Sequence, residues 1–203
     1  MTELEGPAHQ PEAPAPAVQG RESLFSTRNV AAITIGTGLF AVLAIPFNIF
    51  TFPSFSLVSA RPAVAIPIVF GFVFGPVAGF FSGFLGGVIS DQISFGSLFW
   101  NWDLGYGLIG LISAVGYYAI KRSSLARPTG LAASSILAVV GSAVGAGFSA
   151  LTDVFLQTSI NPVAIAVAEL VPNAVTDVVN GAILGPILIY AYVRSTSRRT
   201  RPP

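Results

Sequence analysis

The sequence contains no cysteine, and its one histidine, His9, lies in the N-terminal tail. Disulfide frameworks, thiol nucleophiles and thiolate metal sites are therefore excluded. Histidine acid–base or metal chemistry is excluded everywhere beyond that tail. Charge is also scarce: Asp, Glu, Lys and Arg make up 9% of the 203 residues, against about 25% in a typical soluble domain. A chain that is 53% hydrophobic lacks the polar surface a soluble globule needs. No phosphate-binding loop of the G-x-x-x-x-G-K-S/T type occurs, so the chain does not use ATP by that route. What is plentiful suits a bilayer: 21 Gly, 15 Pro and 16 Phe, Gly and Pro being commoner in transmembrane helices than in soluble ones.

Residues 1–28 are rich in Pro, Ala, Glu and Gln without periodicity, and are expected to form a disordered tail. They lack the basic start, short apolar core and small-residue cleavage site of a removable signal peptide. The first apolar span covers 30–50, close to the roughly 20 residues a bilayer needs. After a Pro-containing aromatic loop, 51–60, a second apolar stretch runs over 61–93. The corner F74-G-P-V77 splits it into two helices, because Pro stops the first and can only begin the second. The segment 95–103, with Trp100 and Trp102, is expected to be a loop in an aromatic belt. Helix four is expected over 104–120, helix five over 130–157 and helix six over 162–193, with bends near Pro172 and Pro186. The expected fold is an all-α integral membrane protein with six transmembrane helices in 29–193, followed by a basic tail, 194–203. Six spans gather nine of the ten Lys and Arg residues on one side. By the positive-inside rule that side, with both termini, is cytoplasmic.

Five glycines step by four, Gly71, Gly75, Gly79, Gly83 and Gly87, and the next step is Asp91. Such spacing gives a smooth helix face against which another helix can pack closely. Helix five repeats the stripe as Gly141, Gly145, Ser149, Asp153 and Gln157. Helix six carries Glu169, Asn173, Asp177, Gly181 and Gly185, with Asn180 on an adjoining face. The stripes are small toward the cytoplasm and polar toward the outside, where they can line a cavity. An ionised group in a bilayer costs about 3 kcal/mol even on a lenient scale, so carboxylates there invite a function. The candidate substrate-binding residues are Asp91, Trp100, Asn101, Trp102, Asp153, Gln157, Glu169, Asn173, Asp177, Asn180 and Arg61. Plainer roles stay open: helix glue for Ser149, Asn180 and Gln157, interface anchoring for the two Trp, interface water for Asp91 and Asp103, an ion pair for Arg61. Five carboxylates against one base in the outer half favour a cation or a neutral ligand rich in N–H and O–H. No metal, cofactor or nucleic-acid site is expected.

The stretch R61-P-A-V-A-I-P-I-V-F-G-F-V-F-G-P-V-A-G-F80, followed by F99-W-N-W-D-L-G-Y-G-L-I-G110, resembles the substrate-binding S components of energy-coupling factor transporters. The resemblance extends over about 29–193. It implies a six-helix protein of the prokaryotic cell membrane that captures a vitamin or related micronutrient from outside. It also implies docking onto a transmembrane coupling subunit driven by two cytoplasmic ATPases, with no covalent chemistry. The family's docking motif on helix one, Ala-x-x-x-Ala, has its nearest match here in Ala32 and Gly36, with Thr37 and Ala41 as a second small pair. The acidic outer half favours an amine-bearing or cationic substrate, and leaves riboflavin-, biotin- and cobalamin-like ligands open. Two other classes compete. A stand-alone ion-coupled transporter would use Asp153 and Asp177 as ion sites, although the paired broken helices of such folds are not evident. An intramembrane aspartyl enzyme would need Asp153 and Asp177 to meet.

Overall fold

The computed structural model describes residues 26–49, 60–156 and 161–199. The loop expected at 51–60, apart from Ala60, the candidate Gln157 and most of the N-terminal tail lie outside these residues. Helix α1 spans Thr27–Ile49. A single 3-10 turn, Pro62–Val64, leads into α2, Ala65–Phe74. Helices α3, Pro76–Phe95, and α4, Trp100–Ser113, follow. The short α5, Val115–Ala119, continues α4 beyond a break at Ala114. Helix α6 covers Pro128–Leu156. One turn of α-helix, α7, Pro162–Ile165, passes through a π-helical turn, Ala166–Leu170, into α8, Val171–Arg199. No strand occurs among the described residues.

The arrangement is a ring of helices around α2. Neighbouring members pack in the order α1, α3, α4, α6, α8, while α2 touches α1, α3, α4 and α8. Nine of the ten residues of α2 are buried, as a helix that is apolar all round requires. The corner that starts α3 needs glycine: Gly75 has φ 105°, a backbone conformation that side-chain-bearing residues rarely adopt. Pro76 then opens α3 with the φ a first helical turn demands. The expected split of 61–93 into two helices is thus present.

The glycine stripe is where α3 meets α4. A Cβ on Gly79 would run into the Gly110 carbonyl, one on Gly83 into the Tyr106 carbonyl, and one on Gly87 into the Asp103 carboxylate. Gly71 of α2 faces the Gly110 carbonyl as well. On its other side α4 meets α6 in the same way, with Gly105 against Ser149 and Gly145. Helix α4 is therefore held backbone-to-backbone between two small-residue faces, the packing that serves helices in lipid, where the hydrophobic effect does not drive association.

Three helices are long and apolar enough to cross a membrane, within 27–48, 128–156 and 162–196, and Pro62–Phe74 is a shorter apolar segment. With α3 and α4, six helical passes fit. The outer surface is apolar: Val175, Val179, Ile183 and Ile187 point away from the bundle at every fourth position of α8. The start of α1 and the last turns of α8 lie at one end of the bundle. The Arg28 guanidinium sits 5.9 Å from the Phe74 ring at the α2–α3 corner, and that ring contacts Tyr192 near the end of α8 at 5.5 Å.

Two boundaries differ from expectation. The W-N-W-D segment is not a loop but the first turn of α4. Gly96, with φ 65°, closes α3, and three residues suffice to turn the chain into α4. Helix α8 runs on through Val193 to Arg199, since no Gly or Pro interrupts that stretch. The π-turn explains the bend expected at Pro172: proline cannot donate to the preceding turn and its ring clashes with the carbonyl four residues back, and a wider turn relieves both.

Gly110→Val forces a side chain into the Gly79 carbonyl and is expected to destabilise the bundle by at least about 1–3 kcal/mol. Gly38→Ala, with nothing within 4 Å of the added carbon, is expected to leave the melting temperature in detergent unchanged. Equal melting of the two variants would refute the packing argument.

Candidate functional site

At the bundle end opposite Arg28 and Tyr192, α1, α3 and α6 finish while α2, α4 and α8 begin, and a cavity of about 230 Å³ opens between them. Its wall combines rings (Phe40, Phe95, Phe99, Trp102, Tyr106) with Arg61, Asp91, Asp153, Glu169 and Asn173. Arg61 precedes Pro62, which keeps it out of the helical region, at φ −121° and ψ 65°. Its guanidinium donates to the Tyr106 hydroxyl. It also lies 5.9 Å from the Trp102 ring centre and 5.7 Å from that of Tyr106, within cation–π range. Asp177 and Asp91 are its charged neighbours.

Asp153 ties α6 to α4. It accepts from Asn101 Nδ2 at 2.9 Å and from Trp102 Nε1 at 2.7 Å. The Asn101 amide also donates to the Ser149 carbonyl at 3.1 Å, and Ser149 Oγ donates back to the Asn101 carbonyl at 3.0 Å. This clasp depends on Gly105 and Gly145, which bring the two backbones close enough for side chain to reach carbonyl. Glu169, projected by the π-turn, lies against Asp153. Asn173 Nδ2 donates to the Glu169 carbonyl at 2.7 Å, while its Oδ1 is buried without a partner among the described residues. Across the cavity, Asn48 Nδ2 reaches Ser90 Oγ at 2.9 Å and Ser94 Oγ at 3.1 Å. Asp91, one turn beyond Gly87, is half-buried in the wall.

Residues 24–194 match the family model of the ECF-type riboflavin transporter, S component. The chain belongs to that family. Its similarity extends to a UPF0397 protein from Photobacterium profundum, 32% identical over 175 residues, covering 84% of this chain and 92% of the relative. A UPF0397 protein from Vibrio atlanticus is 28% identical over 137 residues, 65% of this chain and 73% of the relative. The resemblance seen in the R-P start of α2, the F-G-P corner and the W-N-W-D segment is therefore a family relationship. As a member of the S-component family, the chain is a membrane substrate-binding subunit, and the family is not one of enzymes.

The S-component bundle brings six of the sequence candidates to the cavity: Arg61, Asp91, Trp102, Asp153, Glu169 and Asn173. Four others stand elsewhere. Trp100 points outward at 45% exposure, in the position of an interface anchor, because it is two residues from Trp102 and so on another side of α4. Asn101 is buried behind the wall, holding Asp153. Asp177 lies a turn further along α8, 2% exposed, with Oδ1 unpartnered among the described residues. Asn180 bonds its own helix at the Thr176 carbonyl, 2.8 Å away. Asp103 reaches no interface water: it is 0% exposed, pressed against Gly87, with both oxygens lacking a partner among the described residues. The expected docking pair also turns inward. Ala32 is buried, and a Cβ on Gly36 would come within 2.6 Å of Ser82 Cβ. That small pair serves the α1–α3 contact.

Sequence reasoning missed Asn48, Ser90 and Tyr106. Asn48 had a signal, being a lone amide at the outer end of an otherwise apolar span. Tyr106 had one too, lying one turn after Asp103 on a face otherwise made of glycine.

Trp102→Phe removes one donor from Asp153 while keeping a ring. The expected cost is about 1–3 kcal/mol, that of a charged acceptor losing a bond in a buried setting, read as a lower melting temperature. An unchanged melt would mean that Asp153 is held by other groups.

Proposed function

We propose that this protein is the capture subunit of an energy-coupled importer, taking a small vitamin-like molecule into the cavity from outside the cell. The observation that carries the reading is the polarity of the bundle. One end holds the cavity with its aromatic and carboxylate wall; the other holds Arg28, Lys121, Arg127 and Arg194 with the start of α1 and the end of α8. Under the positive-inside rule the basic end is cytoplasmic, and the cavity then faces the exterior. The multi-pass protein sits in the prokaryotic cytoplasmic membrane.

The ligand is flat or ring-bearing and is rich in N–H or O–H, neutral or cationic. Rings of Phe95, Phe99, Trp102 and Tyr106 supply apolar contact, and Asp91, Glu169 and Asn173 supply acceptors. The vitamin in the family's name, riboflavin, has a flat ring, a ring N–H and a hydroxylated chain, and is the first compound to try. Release requires a second conformation, favoured by a transmembrane coupling subunit and two cytoplasmic ATPases that bind it better. With Ala32 and Gly36 packed inward, the docking face is the outward side of α1, where Ala31 and Gly38 are exposed.

Small molecules released by denaturing gently purified protein are expected to include one stoichiometric vitamin-like compound, identified by mass spectrometry. A protein that is empty and that no member of a micronutrient panel stabilises would sink the reading. Uptake by the isolated protein in liposomes under an ion gradient would instead favour ion-coupled transport.

Orientation has its own check, made simple by the absence of native cysteine. Ser123→Cys is expected to react with a membrane-impermeant maleimide only in inverted vesicles, and Gln92→Cys only in intact cells. The reverse pattern would turn the topology over.

A further inference from the structure

We infer that Asp91 is the carboxylate that reads the ligand, and that what it reads is a positively charged or strongly polarised N–H group; this rests on the capture reading above. The argument is an account of donors and acceptors around the cavity. Both amide protons of Asn48 are taken, by Ser90 and Ser94. Both of Asn101 are taken, by Ser149 and Asp153. The Trp102 indole proton goes to Asp153, and Asn173 Nδ2 goes to the Glu169 carbonyl. Arg61 donates to Tyr106 and has Asp91 and Asp177 as charged neighbours.

Acceptors are left over. Asp91 stands in the cavity wall and accepts no hydrogen bond from a described residue, whereas Glu169, in the same wall, is taken up against Asp153. Asn173 Oδ1, also in the wall, is buried and without a partner among the described residues. Asp153, the carboxylate most prominent in the sequence stripe, is already satisfied by two donors and acts as a strut between α4 and α6. Asp103 and Asp177 are buried off the wall. Neither touches what enters.

A carboxylate in the wall of a cavity gains from an incoming cation and loses from an incoming anion. A buried acceptor without a donor also favours any ligand that supplies one. The wall is thus built to take an amine, amidine or aminated ring nitrogen at Asp91.

Benzamidine, benzamide and benzoate share one ring and differ in charge, positive, neutral and negative. Their binding to the full-length protein in detergent is to be measured by saturation-transfer NMR and thermal shift. Benzamidine is expected to bind at least about tenfold tighter than benzoate, the ratio that one charged contact supports. Asp91→Asn, which keeps the side chain's size, is expected to abolish that preference without lowering the melting temperature. Asp153→Asn is expected to lower the melting temperature and to keep the preference. Equal binding of the three probes, or a preference that survives Asp91→Asn, overturns the inference. If riboflavin binds tightly and Asp91→Asn leaves its affinity unchanged, the inference fails while the capture reading stands. If no probe binds, the inference fails; if in addition the protein is empty and no member of the micronutrient panel stabilises it, both fail.

Discussion

The contact between the backbones of α3 and α4 is the constraint on which the rest of the structure depends. In lipid, side chains gain nothing by leaving one apolar medium for another, so helices associate through close van der Waals fit and polar contacts. Glycine supplies the fit. Gly79, Gly83 and Gly87 admit the α4 backbone at Gly110, Tyr106 and Asp103, and Gly105 and Gly145 repeat the arrangement between α4 and α6. Because α4 is held on both sides, its first turn is a rigid platform. Trp102 and Tyr106 therefore enter the cavity from a defined direction, and Arg61 is oriented by them in turn.

The same closeness has an electrostatic consequence. Polar side chains that would need water in a looser bundle reach main-chain carbonyls and carboxylates directly, as in the Asn101–Ser149–Asp153 clasp. Burial of a carboxylate is tolerable when donors surround it, and Asp153 has them. Asp91 has a guanidinium in its neighbourhood and a cavity in front of it. The functional end of the bundle thus separates carboxylates that hold helices together from one positioned to meet a ligand. The opposite end, closed by Gly75 and the packing of Phe74 on Tyr192, contains no such group among the described residues.

Comparison with the similar proteins places this architecture within a family of binding subunits. The S-component family name gives a vitamin, while the UPF0397 relatives carry no substrate in theirs. Along α3 the glycine contacts end where the cavity wall begins. Gly87 and Asp91, one turn apart, mark that boundary on α3.

Composition and spacing by themselves determined that this chain is helical, membrane-bound and devoid of thiol or histidine chemistry. The Gly75-Pro76 corner, the four-residue stripes and the gathering of bases were legible for a local reason: each is a property of one helix or one turn. Which member of a stripe faces a ligand depends on how neighbouring helices are rotated, and only the tertiary structure decided that. Asp103 was expected in a loop and is instead fully buried, because Gly96 ends α3 early enough for α4 to begin at Trp100. Trp100 and Trp102, alike in sequence, lie on opposite sides of the wall. Ala32 and Gly36 look like an exterior docking pair until Ala32 is seen to be buried and Gly36 to be covered by Ser82 and Phe70. Asp153, the carboxylate the stripes emphasised, is engaged by donors from another helix. The physical reason is common to all four: sequence gives a side chain's chemistry and its place on one helix, but its partners come from residues distant in the chain.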